Sequence, residues 1–480
     1  SYVCPHATIR PFLLDDKEEK SKPDTFKTAK PIGKGLENYH WRIQVSPMDC
    51  TGCANCADIC PAKGKALIMK VAEHEIEMES ENWEFAMTVK PKENVMDKYT
   101  VKGSQFLRPL MEFSGACPGC GETPYIKLIT QLFGDRMMIS NATGCSSIYG
   151  ASAPSMPYST NAEGRGPAWI NPLFEDAAEF GLGLQIGVKQ IREKLSSLMK
   201  EAIKLNIDDK LKKTFSNWID NFHDGEGSKK ATENILATLN ENNYNDNETI
   251  KEILRLKDHF IKKSVWAFGG DGWAYDIGYG GLDHVLASGE DINILVMDTE
   301  VYSNTGGQCS KATPAAAVAK FAAAGKKIRK KDLGLIAMTY GYVYVTQIAM
   351  GADMNHTVKA IKEAENYKGP SLIIAYSPCI NHGIKTGMGT SMAEEKKAVE
   401  SGYWHLYRYN PQLRNEGKNP FILDSKEPTL DYKDFITGEI RYSSLMNTFP
   451  EIADEMFEIS SKHASERYRK YKQLSEHDVL

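Results

Sequence analysis

Four cysteines, Cys50, Cys53, Cys56 and Cys60, are spaced C-x2-C-x2-C-x3-C and followed by Pro61. This is the bacterial run that wraps a [4Fe–4S] cubane with three thiolates and lends the fourth to a neighbouring cluster. Zinc more commonly draws on two separated CxxC pairs, so the spacing favours iron and sulfide. Upstream, Cys4-Pro5 has the form of the tail of another such run. The cross-ligation rule then assigns one complete cluster to Cys4, Cys50, Cys53 and Cys56. It leaves Cys60 to a second cluster whose other ligands would precede Ser1, and the expectation is of a C-terminal fragment.

A different chemistry is written between Val265 and Gln308. The apolar run Val265–Phe268 reads as a strand and breaks into Gly269-Gly270-Asp271-Gly272, ahead of a helical pattern over Asp276–Ala287. Glycine there lets backbone approach a phosphate, and the following N–H groups point at the anion. Asp271 stands where a carboxylate at a strand end can hold a hard cation. A second strand, Ile292–Met297, delivers Asp298, Thr299 and the loop Val301–Gln308 to the same edge. A carboxylate, a hydroxyl and a free loop carbonyl suit the all-oxygen coordination of Mg²⁺, which keeps substrate phosphates among its ligands.

Further cysteines follow the same logic of strand ends. SGACPGCGE (Ser114–Glu122) holds Cys117 and Cys120 ahead of a helix over Thr123–Phe133 and a short strand Arg136–Ser140. Cys145 lies on the glycine-rich loop after that strand, and Cys379 follows a strand over Leu372–Tyr376. By spacing alone these could be zinc ligands, a redox pair or unrelated thiols. By position, Cys145, Asp271, Asn304 and Cys379 each follow a strand and would meet at the carboxyl edge of a parallel sheet, where α/β proteins bind ligands. Cys309 reads as a packed thiol, and His284 and His382, uncorroborated, as structural histidines.

GDGWAYDIGYGG with DTEVYSNTGGQ resembles the thiamine-diphosphate enzymes, and specifically the pyruvate:ferredoxin oxidoreductase family. The resemblance runs from Ser1 to about residues 410–424. Thr299 stands where thiamine enzymes at large carry asparagine, which matches the narrower family. The resemblance implies Mg²⁺ on Asp271, Thr299 and the Val301 carbonyl, and thiamine diphosphate along Gly270, Asp271, Gly272, Trp273, Thr299, Glu300, Val301, Tyr302, Ser303 and Asn304. Asn304, facing ring and substrate, is the catalytic candidate. It further implies a proximal [4Fe–4S] cluster on Cys117, Cys120, Cys145 and Cys379, with Glu122 and Cys145 touching the cofactor. The activity implied is oxidative decarboxylation of pyruvate with coenzyme A to acetyl-CoA and CO₂, electrons leaving through the clusters to ferredoxin or flavodoxin. A homodimeric, cytoplasmic parent protein is expected, with a third cluster shared with preceding residues. The alternatives are a related 2-oxoacid:ferredoxin oxidoreductase and a non-catalytic iron–sulfur electron carrier.

The elements that must position these groups suggest an α/β protein: a doubly wound, mostly parallel sheet behind a small α+β ferredoxin-like domain. The expected divisions are 1–90 for the cluster domain and linker, 91–425 for the cofactor domain with a charged helical insertion at about 186–263, and a helical tail at 426–480. An asparagine-rich break interrupts the insertion at Asn240–Asn247, and a helix is expected over Pro450–Leu474. Lysine-rich Asp15–Lys34, Lys63–Lys70 and Lys90–Lys102 read as solvated chain, open to a role in steering an acidic electron carrier.

The 480 residues have 41% hydrophobic and 25% charged side chains and a formal net charge of -5, with no basic signature for nucleic acid. Ten cysteines in tight CxxC spacings suit ligation in a reducing cytoplasm, and no secretory pattern opens the chain. The most membrane-like run, Leu333–Ala352, holds tyrosines, threonine and glutamine and reads as a buried strand turning into a helix.

Overall fold

The computed structural model describes residues 1–92, 94–152, 155–241 and 247–477. Of the asparagine-rich break, residues 242–246 lie outside the described residues. The first 104 residues form a two-stranded antiparallel sheet, β1 (Ile9–Leu14) and β2 (His40–Val45), with Ile9 opposite Val45 and Leu14 opposite His40. A helix over Asp16–Ser21 follows β1. Asp15 caps it and Glu18 completes a capping box, which satisfies backbone N–H groups that would otherwise lack partners. The helix Ile76–Thr88 packs against this unit, whose small core is Leu14, Phe26, Ala86 and Val89. Tyr2 and Val3 are buried in the core of the larger unit, and Lys127 donates to the carbonyls of Ser1 and Tyr2 at 2.5 and 2.7 Å.

The larger unit is an eight-stranded sheet: β3 (Met137–Asn141), β4 (Ala168–Ile170), β5 (Ser264–Gly270), β6 (Asn293–Asp298), β7 (Tyr344–Ile348), β8 (Ser371–Tyr376), β9 (Tyr407–Tyr409) and β10 (Phe421–Leu423). Their order is β10-β9-β7-β8-β6-β5-β3-β4. The six from β7 to β4 are mutually parallel, and β9 and β10 close one side antiparallel. Alternation along the strands feeds two cores. Val265 and Ala267 enter one with the helices Ala177–Ala202 and Tyr279–Ala287, while Trp266 and Phe268 enter the other with Thr123–Phe133 and Met354–Asn366. Ile294 and Val296 against Leu295 and Met297 repeat the division. A sheet buried on both faces explains why these strands read as unbroken apolar runs.

Three expectations are corrected. The run Leu333–Ala352 is a helix, Leu333–Met338, that precedes strand β7, the reverse of the expected order; Gly341 at φ +74 makes the turn between them. The helical pattern after β5 is interrupted: a π-helical segment over Gly272–Ile277 comes first, and α-helix begins at Tyr279. The insertion's first helix starts at Ala177 rather than Ile186, because Ala177, Ala178 and Leu182 pack on the sheet before the chain departs from it. Beyond them Leu195, Met199, Phe215, Trp218, Ile235, Ile250 and Phe260 make a separate core for the inserted helices. Among the described residues no helix is long and apolar enough to cross a membrane.

Candidate functional site

Four adjacent strands, in the order β3-β5-β6-β8, present their carboxyl ends side by side. Cys145 follows the first, Asp271 the second, Thr299 and Val301 the third and Cys379 the fourth. Three strand spacings separate the outer pair, about 14 Å of sheet edge.

At the centre Asp271 is fully buried. Its Oδ1 lies 3.0 Å from the Thr299 hydroxyl, which also lies 3.0 Å from the Val301 carbonyl; its Oδ2 accepts a hydrogen bond from Ser310 at 2.6 Å. The threonine hydroxyl has one proton and cannot donate to both acceptors. The single threonine hydroxyl thus stands between two acceptors, a carboxylate oxygen and a backbone carbonyl. Burial first, and then the nearby Asp298 charge, push the Asp271 carboxyl far above the usual carboxylate range. A cation at this point would supply what the carboxylate lacks. Ligands about 2.1 Å from Mg²⁺ at neighbouring octahedral corners stand about 3.0 Å apart, and both measured spacings, from the Thr299 hydroxyl to Asp271 and to Val301, match that separation.

Glycine shapes the approach. A Cβ on Gly270 would have the Met297 carbonyl at 3.9 Å as its nearest neighbour, leaving an open hollow before the backbone; a Cβ on Gly272 would sit 2.5 Å from the Tyr302 ring. A cavity of about 110 Å³ lies there, and among its lining residues are Glu122, Cys145, Phe174, Gly270, Gly272, Trp273 and Val301–Thr305. Trp273 is buried with its indole N–H unpartnered. Tyr302 closes its loop by donating its N–H to Gln308 and accepting from Gly307. Ser303 Oγ lies 3.3 Å from Cys145 Sγ, and Asn304, exposed at the cavity mouth, also hydrogen-bonds that sulfur.

The neighbouring acids are turned away from the cavity. Asp298 accepts from Tyr275 at 2.8 Å and pairs with Lys330 at 2.7 Å. Glu300 occupies the left-handed region at φ +62, which costs a non-glycine residue about 1–3 kcal/mol. Its carboxylate lies 2.9 Å from both Lys330 and Arg441 and accepts from the Tyr403 hydroxyl. Burial opposes its charge, but Lys330 and then Arg441 overcome this and bring its pKa down to about 2. The expected cofactor contact at Glu300 is thus left to its backbone.

Glu122 is buried beneath the cavity and accepts from Tyr149 at 2.8 Å; burial pushes its pKa up to about 7, against the hydrogen bond. Around it the second cysteine set gathers. The Gly121 N–H donates to the Pro378 carbonyl, pressing the CxxC loop onto the loop of Cys379. Cys120, Cys145 and Cys379 feel one another's charge or that of Glu122, and burial pushes all three thiols up, Cys145 to about 12 and Cys379 to about 11. N–H groups face the sulfurs: Glu122 N lies 3.4 Å from Cys120 and Asn381 Nδ2 lies 3.5 Å from Cys379. Cys4, Cys50, Cys53 and Cys56 are likewise in electrostatic reach. Cys60 instead receives backbone N–H groups of its own loop, from Ala62 first and Ala66 next. Among the described residues no three His, Cys, Asp or Glu side chains close into a preformed cage.

Residues that the sequence left silent complete the site. His382, fully buried, donates Nε2–H to the Thr299 carbonyl at 2.7 Å, whereas His284 is exposed on its helix. Ser310 and Lys330 lie 39 and 32 residues past Asp271 and Asp298, with no periodic signal to mark them. Cys309 is half-buried with a weak contact to the Ser310 carbonyl. Of the lysine-rich stretches, Lys70, Lys92 and Lys98 are paired with Glu75, Glu18 and Glu226.

A family model described as the C-terminal TPP binding domain of thiamine pyrophosphate enzymes matches residues 255–375. Over 99% of its length the chain is 56% identical to a pyruvate-flavodoxin oxidoreductase of Enterobacter agglomerans and 55% identical to a pyruvate:ferredoxin oxidoreductase of Moorella thermoacetica. It is 47% identical, again over 99% of its length, to a mitochondrial pyruvate dehydrogenase [NADP(+)] of Euglena gracilis. It covers 40%, 41% and 26% of those proteins. The chain thus spans about two-fifths of the length of the first two relatives. A solved 2-oxoglutarate:ferredoxin oxidoreductase of Magnetococcus marinus matches 56% of this chain and 65% of its own at 16% identity and a TM-score of 0.35, too slight a likeness to build on.

Proposed function

We propose that this chain, a homologue along 99% of its residues of the pyruvate:flavodoxin and pyruvate:ferredoxin oxidoreductases, is the thiamine- and cluster-bearing part of such an enzyme. The activity is oxidative decarboxylation of pyruvate with coenzyme A, two electrons passing to ferredoxin or flavodoxin. The observation that carries this reading is the Thr299 hydroxyl 3.0 Å from both the Asp271 carboxylate and the Val301 carbonyl, beside an open glycine hollow.

Asp271, Thr299 and the Val301 carbonyl hold Mg²⁺, and the backbone of Gly270–Trp273 receives the diphosphate. The cavity is smaller than the roughly 300–1,000 Å³ of drug-sized pockets, which suits the diphosphate end and leaves the rest of the cofactor outside these walls. When bound, thiamine diphosphate supplies a carbon nucleophile for the keto carbon and a ring that takes the electron pair left by CO₂. Asn304 and Cys145 border the mouth where the substrate arrives. Cys117, Cys120, Cys145 and Cys379 ligate one [4Fe–4S] cluster beside it, the Cys120 and Cys379 sulfurs met by the N–H groups of Glu122 and Asn381. Cys4, Cys50, Cys53 and Cys56 ligate a second, and Cys60 serves a third in a ferredoxin-like fold. A homodimeric assembly and a cytoplasmic setting belong to the same proposal.

The test is calorimetric titration of the anaerobically reconstituted chain with thiamine diphosphate, with Mg²⁺ and with EDTA. Binding that needs the cation is expected; a plain electron carrier would bind in neither condition. Viologen reduction by the full-length protein over a panel of 2-oxo acids fixes the substrate.

A further inference from the structure

The segment after residue 425 carries no chemistry of its own in sequence, yet Arg441 reaches the metal loop from behind. Its guanidinium lies 2.9 Å from the Glu300 carboxylate, and Glu300 is the residue between the two metal-binding positions Thr299 and Val301. Arg441 Nε also donates to Glu439 at 2.6 Å, and Glu439 faces His382 Nδ1 at 3.6 Å. His382 donates to the carbonyl of Thr299. The contacts close a ring: Thr299, His382, Glu439, Arg441, Glu300 and back along the chain to Thr299. Every side chain beyond the threonine is at most 4% exposed. Two backbone bonds anchor the ring, from Ile440 N to the Gly383 carbonyl at 2.8 Å and from Val318 N to the Arg441 carbonyl at 2.7 Å.

Glu300 needs such a hold. A buried glutamate in the left-handed region relaxes unless its surroundings fix it, and relaxation would rotate the peptides that present the Thr299 hydroxyl and the Val301 carbonyl. Lys330 shares the carboxylate but is divided with Asp298, 2.7 Å away.

We propose that Arg441, acting through Glu300, and His382, acting through the Thr299 carbonyl, are positioning residues that set the affinity of the cation site, so that the C-terminal segment controls cofactor loading. This rests on reading Asp271, Thr299 and Val301 as the cation ligands. Groups that orient metal ligands in this way typically contribute 10–100-fold to metal affinity.

The experiment titrates the anaerobically reconstituted chain with Mn²⁺ in the presence of thiamine diphosphate, reading free Mn²⁺ by its EPR signal. Arg441→Met is expected to weaken Mn²⁺ binding by about 10–100-fold. Arg441→Lys should recover part of it, and Glu300→Gln should weaken it without a change in side-chain size. Combining Arg441→Met with Glu300→Gln should cost less than the sum of the two, because the residues act as one unit. Unchanged affinity in Arg441→Met, or in Glu300→Gln if the arginine variant does not fold, overturns the inference provided Asp271→Ala abolishes binding. Unchanged affinity in Asp271→Ala overturns the cation-site reading itself. Additive losses in the double variant would also refute action through Glu300.

Discussion

The Thr299 hydroxyl stands 3.0 Å from Asp271 Oδ1 although the two residues follow different strands, β6 and β5. Parallel pairing sets Met297 beside Gly270, so the residues just beyond both strand ends face each other. Asp271→Ala should therefore abolish Mg²⁺-dependent thiamine diphosphate binding while leaving the iron–sulfur absorbance intact. Thr299→Val, which keeps shape and loses the hydroxyl, should weaken binding less. Calorimetry decides, and parental affinity in the alanine variant would dismiss the cradle.

Gly270→Ala separates folding from binding. A methyl group there meets nothing closer than 3.9 Å, so the melting temperature should shift by no more than about 2 °C. The same methyl fills the hollow and should lower thiamine diphosphate affinity by about tenfold or more, roughly 1.4 kcal/mol. Full affinity would move the diphosphate away from this backbone.

Cys145→Ser should remove one cluster's worth of iron and leave the other thiol set loaded. The sulfur touches Ser303 and lines the cavity beside Gly270 and Gly272, so the same change should disturb thiamine diphosphate binding as well. Iron content equal to the parent, with an unchanged low-temperature EPR spectrum, would show that a different residue closes the proximal cluster.

His405 should make the fold acid-sensitive. It is 1% exposed, both ring nitrogens lack partners, and Tyr468 stacks on it. Burial first, then the Arg467 charge, hold its pKa well below the ordinary histidine value. The unfolded chain binds a proton near pH 6.5 and the folded chain does not. Stability is thus full above about pH 6.5 and falls on acidification by up to about 1.4 kcal/mol per pH unit. In His405→Phe the loss between pH 6.5 and 5.5 should lessen by about 1 kcal/mol, as read from urea midpoints of the cluster-free chain. Equal slopes in variant and parent would remove His405 from the acid response.

Strand ends were legible because the sequence marks them twice: an apolar run buried on both faces, then an abrupt change to polar, glycine or proline residues. This is how Asp271, Thr299, Cys145 and Cys379 could be named in advance. Their neighbours were not. Ser310, Lys330, His382 and Arg441 reach Asp271, Asp298, Thr299 and Glu300 across long sequence separations, and each contact depends on the strand order, which local patterns do not encode. The reversed reading of Leu333–Ala352 has a similar cause. A short buried helix and a buried strand are both unbroken apolar runs, and Gly341 could have ended either.

The two edges of the large sheet differ from its centre in a way that bears on handling. At one edge β10 lies under the long C-terminal helix Pro450–Glu476, and Asn419 donates to the carbonyls of Leu474 and Ser475 to fasten the cover. At the other, β4 is three residues long, too short to template a further strand. Neither margin offers a long bare ladder of N–H and C=O groups. Ladder growth from chain to chain, the usual route from an apolar parallel sheet to fibrils, is blocked at both ends. Any cross-β deposit in concentrated stocks should therefore not start from the edges of this sheet.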